Sequence, residues 1–371
     1  MNAPSSFWQL LFAPEASSQP PVAVTMKLLT RRGQPLLLLP HSPSLARIGL
    51  ELYPAQTPRG RLMRSLAAWA LQARLPLGIK PVQVNLSPDD PFVRWLASLV
   101  QVAFSGIPQF AVLAGNPNRP GQRFIMLLFD PAGRPTAVVK AGMTEASRKL
   151  IEQERQFLAN APASTPGIPP LRGTFANTKW QAIALDFLPG RSPRTVDEHG
   201  LPKVLKNWLR PPIVLTDTRF WRELSATSAD HPIFKSLLVT LRNHSSSGAI
   251  VHGDFAPWNV RVAPSGDWMA LDWERGDVSG LPGWDWFHYF IQKGILVQRH
   301  SLPSLTGSIE GLLGSKEFKA YAQAARIIGH ERSLVLFYLL YQVEVIRPSE
   351  GRAETRELLN QLAVCWRVNQ P

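Results

Sequence analysis

The feature that most constrains the fold is a change of period along the chain. From Phe110 to Asp186 the apolar residues come in strand-length runs, FAVLA, QRFIMLLF, TAVVK and WQAIALD. The loop GNPNRPG and the turn DPAGRP separate the first three, as in a hairpin continued by another antiparallel strand. One helix is set among them: EASRKLIEQERQFLAN places Leu150, Glu154 and Leu158 four apart and stops before the proline-rich APASTPGIPP. After Gly190 the pattern is mostly helical, and ERSLVLFYLLYQVEVI, apolar almost all round, reads as a buried core helix. Strands first and helices later predict an α+β chain of two lobes, joined near Asp186 to Gly190, and clefts between lobes are usual places for ligands.

The length of 371 residues suits two or three packed units or one large two-lobed domain. With 45% hydrophobic and 18% charged residues, the chain reads as a compact enzyme with many loops, and it shows no internal repeat. A single cysteine, Cys365, excludes an internal disulfide and a cysteine-rich zinc site. The start MNAPSSFWQLLFAPEASS lacks the basic lead and long apolar run of a signal peptide, and no apolar stretch approaches ~20 residues, so a soluble cytoplasmic protein is expected. The net charge of +13 points to an anionic partner such as a nucleotide, a phosphorylated sugar or a membrane surface. The positive charge is dispersed and no nucleic-acid-binding motif is present, so nucleic acid is not an expected partner.

Residues 1–105 hold proline-punctuated apolar runs such as PLLLLP, followed by RGRLMRSLAAWALQARL. There Leu62, Leu66, Trp69 and Ala73 recur at helical spacing beside Arg59, Arg61, Arg64 and Arg74. The segment is expected to pack its apolar face on the neighbouring domain, with peripheral contact to a membrane as the alternative.

The segment HGDFAPWNV places His252, Asp254 and Asn259 among apolar residues, where polar side chains without a task are costly. Its continuation, NVRVAPSGDWMALDWE, reads as a short hairpin. With Ser265 and Gly266 as the central turn residues, outward counting sets Asn259 opposite Asp272, with Cβ atoms about 5 Å apart. An amide oxygen and a carboxylate so placed suit Mg²⁺, which keeps several waters and shares its shell with substrate phosphates. Asp254, on the loop leading into the hairpin, is left to accept a proton from an attacking hydroxyl. His252 then organises the loop through hydrogen bonds to backbone or to Asp254. Either acidic or amide residue alone reads as a turn cap. The set gains weight from Lys140, which closes a strand, and Glu154 on the following helix: an interlobe Lys–Glu pair holding the lysine toward nucleotide phosphates completes such a site.

In these motifs the chain resembles the aminoglycoside phosphotransferase and choline kinase group of the protein-kinase-like superfamily. HGDFAPWN resembles the catalytic loop, LDWE the metal-binding aspartate segment, AVVK the strand of the nucleotide lysine, and LIEQERQFL the helix of its glutamate partner. GLPGWDWFHYF is similar to the downstream motif whose aspartate, here Asp285, buttresses the catalytic loop. The resemblance runs from about Phe110 to the C-terminus. It implies a bilobal protein-kinase-like fold: an N-terminal extension (1–105), a small antiparallel-sheet lobe that binds nucleotide (106–185), and a mainly helical lobe with catalytic loop and acceptor site (186–371).

It also implies ATP- and Mg²⁺-dependent phosphoryl transfer to the hydroxyl of a small molecule. Asp254 and His252 are the catalytic-loop residues, and Asn259 and Asp272 the metal ligands. Lys140 would contact the α- and β-phosphates, with Glu154, rather than the nearby Glu152, fixing it. The segment ending in Asp186, Phe187 and Leu188 would receive adenine through its backbone. Two departures stand out: GNPNRPG is not G-x-G-x-x-G, and Gly253 stands where protein kinases usually carry arginine. The basic charge tilts the acceptor toward a sugar, a phosphorylated sugar or a glycolipid. The alternatives are a catalytically silent pseudokinase and a membrane-surface scaffold acting through the basic N-terminal region.

Overall fold

The computed structural model describes residues 12, 20–31, 33–53, 58–73, 75, 79–102, 106–115, 121–346 and 353–367. The chain divides into two compact units, Met1–Ala159 with Pro169–Leu188, and Asn160–Ile168 with Pro189–Pro371. An antiparallel sheet dominates the first and helices the second, as the change of period predicts.

The first unit runs β1 (Val22–Arg31), β2 (Gln34–Pro40), α1 (Pro43–Gly49), α2 (Pro58–Gln72), β3 (Lys80–Leu86) and α3 (Pro91–Leu99). It continues through β4 (Gln109–Ala114), β5 (Arg123–Phe129), β6 (Pro135–Gly142), α4 (Glu145–Asn160), β7 (Leu171–Ala176) and β8 (Gln181–Asp186). The eight strands form one sheet in the order β3-β1-β2-β4-β5-β6-β8-β7, antiparallel throughout. FAVLA and QRFIMLLF pair as the predicted hairpin, although residues 116–120 of the loop GNPNRPG lie outside the described residues.

The boundary drawn at residue 105 is therefore a correction. Strands β1 to β3 are three of the eight, stitched to the rest where Leu37 and Leu38 of β2 pair with Leu113 and Val112 of β4. The run PLLLLP shows why. Successive strand residues point to opposite faces, so three fully buried neighbours, Leu37, Leu38 and Leu39, need both faces covered. Leu38 joins Met26, Val112, Met126 and, from α3, Phe92 and Leu96. Leu37 and Leu39 join Ala111, Leu127 and Phe129 with Leu45 of α1 and Leu71 of α2. Helix α3 is started by Asp90, whose carboxylate accepts the N–H groups of Phe92 and Val93 at 2.9 and 3.2 Å, with Pro91 at the first turn where no donor is required.

Helix α2 corrects a second expectation. It buries Leu71, with Ala67 and Ala68 packed alongside, while the predicted apolar stripe faces outward: Leu62, Leu66 and Trp69 are 61, 48 and 62% exposed.

The second unit contains α5 (Gly200–Asn207), β9 (Leu209–Val214), α6 (Arg219–Ser228), α7 (Pro232–Leu241), β10 (Ser245–Val251), β11 (Val260–Val262), β12 (Trp268–Ala270) and β13 (Asp277–Gly280). It ends with α8 (Trp284–Gln292), α9 (Leu302–Gly314), α10 (Lys316–Ala325), α11 (Glu331–Tyr341) and α12 (Ala353–Cys365). Strands β13-β10-β9 make a small sheet and β11-β12 a hairpin. The almost wholly apolar α11 is buried from Leu334 to Tyr341, as its pattern predicts. Trp208 packs edge-on against Phe255 and Trp273, centroids 5.3 and 5.1 Å away, and its indole N–H donates to the Pro166 carbonyl at 2.8 Å. No helix among the described residues is long and apolar enough to cross a membrane.

A fragment beginning at residue 106 would lose β1 to β3 and bare the buried faces of β4 and β5. It should aggregate, or show no cooperative unfolding of its sheet unit, in urea titrations followed by circular dichroism, while the full chain unfolds cooperatively.

Candidate active site

Strand β10 is buried from Ser246 onward and delivers the chain into the HGD loop. The loop is held from below by one side chain. Asp285, in the first turn of α8, accepts the N–H of His252 at 2.7 Å and that of Gly253 at 3.1 Å. The loop aspartate buttress expected from the sequence is thus present as geometry. Burial pushes the Asp285 carboxyl up to about 7 against the pull of those two amides. Its contribution to stability is therefore present below about pH 4 and lost as pH rises toward 7. Gly253 adopts φ +81°, and a Cβ there would stand 2.8 Å from the Cβ and carbonyl oxygen of Arg275. No arginine fits at that position, which explains the departure from the protein-kinase pattern.

His252 is fully buried and acts on backbone at both ring nitrogens. Its Nδ1 accepts the Asp254 N–H at 3.2 Å, so Nε2 carries the hydrogen and donates to the Leu271 carbonyl at 2.7 Å. Burial lowers its pKa to about 4, only partly opposed by the charge of Asp254. A neutral imidazole with both nitrogens committed ties the loop to the hairpin. It is a positioning group.

Asp254 is gripped at both carboxylate oxygens. Oδ1 accepts from Nε2 of His288 at 3.0 Å, and Oδ2 accepts from Nδ2 of Asn259 at 2.8 Å. The Asn259 amide also donates to the Asp254 carbonyl at 2.9 Å. A carboxylate only accepts, so these contacts fix His288 Nε2 as a donor and turn the amide oxygen of Asn259 away from Asp254. The other nitrogen of His288, Nδ1, lies 3.0 Å from the buried hydroxyl of Tyr338, with which it shares a hydrogen bond. Burial raises the Asp254 pKa, but the hydrogen bond and charge of His288, with the charge of Arg275, outweigh it, and the carboxyl sits below its ordinary value. Asp254 is thereby held as an oriented carboxylate and a weak base.

The hairpin forms one residue out of the expected register. Val260 pairs with Ala270 and Val262 with Trp268, and the Leu271 N–H donates to the Asn259 carbonyl at 2.7 Å, so Asn259 faces Leu271 rather than Asp272. The cause is the turn. Ala263 and Asp267 close a three-residue loop, with Gly266 at φ +88° supplying its left-handed residue, where a two-residue turn was counted. Asp272 follows at once, its own backbone at φ +72°, a conformation that aspartate tolerates and most side chains avoid. Asn259 and Asp272 thus flank the open end of the hairpin, Asp272 one residue beyond the partner of Asn259. An amide oxygen aimed away from Asp254 and a neighbouring carboxylate are the hard donors that suit Mg²⁺.

In the first unit, Lys140 of β6 donates to Oε1 of Glu154 on α4 at 2.6 Å, both side chains almost fully buried. The pair lies within this unit rather than between lobes, which corrects the expectation of an interlobe pair. Glu152 is engaged elsewhere, with Arg155, Gln156 and Gln181. Of the segment expected to receive adenine, Phe187 already donates its N–H to the Thr136 carbonyl at 3.0 Å. Backbone recognition there would fall to Asp186 and Leu188, while the Asp186 side chain accepts from Arg172 at 3.1 Å.

Two residues of the site were not singled out from the sequence. His288 stands three after Asp285, on the same face of α8, and the spacing D-x-x-H was a usable signal. Tyr338, fifty residues later in an apolar helix, carried none.

No protein-family model matches this sequence, and no curated protein matches it. Among solved structures, aminoglycoside phosphotransferase APH(4)-Ia is 11% identical with a TM-score of 0.43, covering 70% of this chain and 94% of its own. A thermostable mutant of that enzyme, in ternary complex with ADP and hygromycin B, is 12% identical with a TM-score of 0.43, covering 75% and 99%. The bifunctional kinase-methyltransferase WbdD is 14% identical with a TM-score of 0.29, covering 64% of this chain and 47% of its own. The chemistry is accordingly argued from this chain's own residues.

His252, with a folded pKa of about 4 against an ordinary 6.5, contributes stability that is present above pH 6.5 and lost as pH falls toward 4. The stability gap between the parent protein and His252→Gln should therefore narrow by about 3 kcal/mol from pH 7 to pH 4. Urea unfolding at each pH measures it, and a constant gap would show that the ring is not held neutral.

Proposed function

We propose that this chain is an ATP- and Mg²⁺-dependent phosphotransferase that moves the γ-phosphate to a hydroxyl of a small molecule. The observation that carries the reading is the grip on Asp254, whose two oxygens are fixed by His288 and Asn259 in a loop pinned by Asp285. A carboxylate so held, with its pKa kept low, orients an acceptor hydroxyl and takes its proton only as the new O–P bond forms. That suits a loose phosphoryl-transfer transition state, in which positioning and charge neutralisation dominate. The bond from the γ-phosphorus to the bridging oxygen breaks, leaving ADP, and the hydroxyl proton passes to Asp254.

Asn259 and Asp272 would hold Mg²⁺, which when bound supplies charge neutralisation at the nucleotide phosphates. Lys140 would meet the α- and β-phosphates, with Glu154 fixing its stem. Burying such an ion pair is weak evidence of stabilisation, because desolvation opposes the attraction, and the pair is better explained by a task for the lysine. Asp186 and Leu188 would serve adenine through their backbone. The acceptors that suit a chain of net charge +13 are sugars, phosphorylated sugars and glycolipids.

The test is incubation with Mg-ATP and a panel of alcohol-bearing metabolites, read by mass spectrometry for a gain of phosphate. Asp254→Asn should lower transfer by about 10²–10⁴-fold. His288→Ala should lower kcat by roughly tenfold with KM for ATP unchanged, since it loosens the carboxylate and not the nucleotide. Transfer that survives Asp254→Asn would sink the assignment.

A further inference from the structure

We infer that helix α2 docks on an anionic lipid surface. The apolar stripe of a surface helix is normally turned to the core, yet α2 covers the sheet with Leu71 and turns Leu62, Leu66 and Trp69 to solvent. Met63, 59% exposed, widens the same surface. Beyond the helix, Leu75 is 42% exposed and lines, with Leu71, Ile79 and Lys27, a concavity of about 510 Å³. Scattered exposed apolar residues need no explanation, but a contiguous group on one element marks a contact surface.

Charge identifies the occupant. From Leu52 to Pro88 the chain has no aspartate or glutamate, while Arg59, Arg61, Arg64, Arg74 and Lys80 fall within that span. Arg61 and Lys80 are exposed. A protein partner with mixed charge would be met by cations alone, whereas phospholipid headgroups of one sign are complementary to them. Leucine and tryptophan side chains on a helix lying in the interface then enter the headgroup–acyl boundary, where tryptophan is favoured. The inference is independent of the phosphotransfer reading, because none of these residues belongs to the proposed site.

The experiment is co-sedimentation of the full chain with vesicles of phosphatidylcholine alone or mixed with phosphatidylglycerol. Binding is expected to the mixed vesicles and to weaken as salt is raised. Leu66→Glu combined with Trp69→Glu, and separately Arg59→Glu combined with Arg61→Glu, should each lower the partition coefficient by about tenfold or more. Leu62→Ser, a milder change on the same face, should move it in the same direction with an unaltered melting curve. Absence of sedimentation with either vesicle, or binding that ignores all three variants, would overturn the inference. So would a dimer seen by light scattering that Leu66→Glu with Trp69→Glu dissociates, since the face would then belong to a second copy of the chain.

Discussion

The interaction on which the second unit's chemistry rests is the buried carboxylate of Asp285 beneath two successive backbone amides. Those N–H groups face away from any strand partner, and a loop that leaves them unpaired in the interior would not persist. By accepting both, Asp285 fixes the backbone at His252 and Gly253, and everything above it inherits that position. His252 then ties the loop to Leu271, and the loop presents Asp254 to His288 and Asn259. Of these hydrogen bonds, those to the charged Asp254 are each worth about 1.5–3 kcal/mol in context and the rest about 1 kcal/mol, and the wall behind them is aromatic. Trp273 lies 4.5 Å from the His252 ring, centroid to centroid, so the inner end of the polar chain, at His252 and Asp285, is buried where its electrostatics are strengthened.

The same enclosure has a thermodynamic signature. His252 and Asp285 are both driven toward their neutral forms by burial, one by losing a proton and one by keeping it. Their linkage to folding has opposite signs between about pH 4 and pH 7, so the two partly offset. Asp254 alone in this group is kept charged, because His288 and Arg275 outweigh the effect of burial. Three titratable groups within one short contact network are thus driven toward different protonation states by their surroundings, and the charged one, Asp254, is the most exposed of the three.

Much of this was legible in the sequence because local rules and tertiary demands agree there. The helix carrying Glu154 spans the predicted segment, and the choice of Glu154 over Glu152 follows from a spacing of four that turns it inward. The HGD loop was legible because polar residues in an apolar run need partners. Two misreadings have definite physical causes. The sequence predicts a two-residue turn for the hairpin, and Gly266 in a left-handed conformation makes it three, shifting the pairing by one. The first hundred residues were set apart because strands β1 to β3 pair across distances that no local pattern records, although Leu37 to Leu39 already required a covered sheet. Tyr338 could not be read at all, since a tyrosine in a core helix announces nothing about the ring it will meet.

The three-residue loop of the hairpin has a further meaning for how this chain tolerates change. Side chains alternate across a strand, so the face on which the residues after β12 emerge depends on the parity of the loop that precedes them. Asn259 and Asp272 are spaced by that loop as much as by the strands, and exchanging their neighbours preserves the spacing while inserting or deleting one turn residue reverses it. Substitutions along β11 and β12 are thus forgiven more readily than a change of length at Pro264 to Gly266. The solvent-exposed tip, ordinarily the cheapest place to add a residue, is here the part of the hairpin whose length sets how Asn259 and Asp272 stand to one another at its other end.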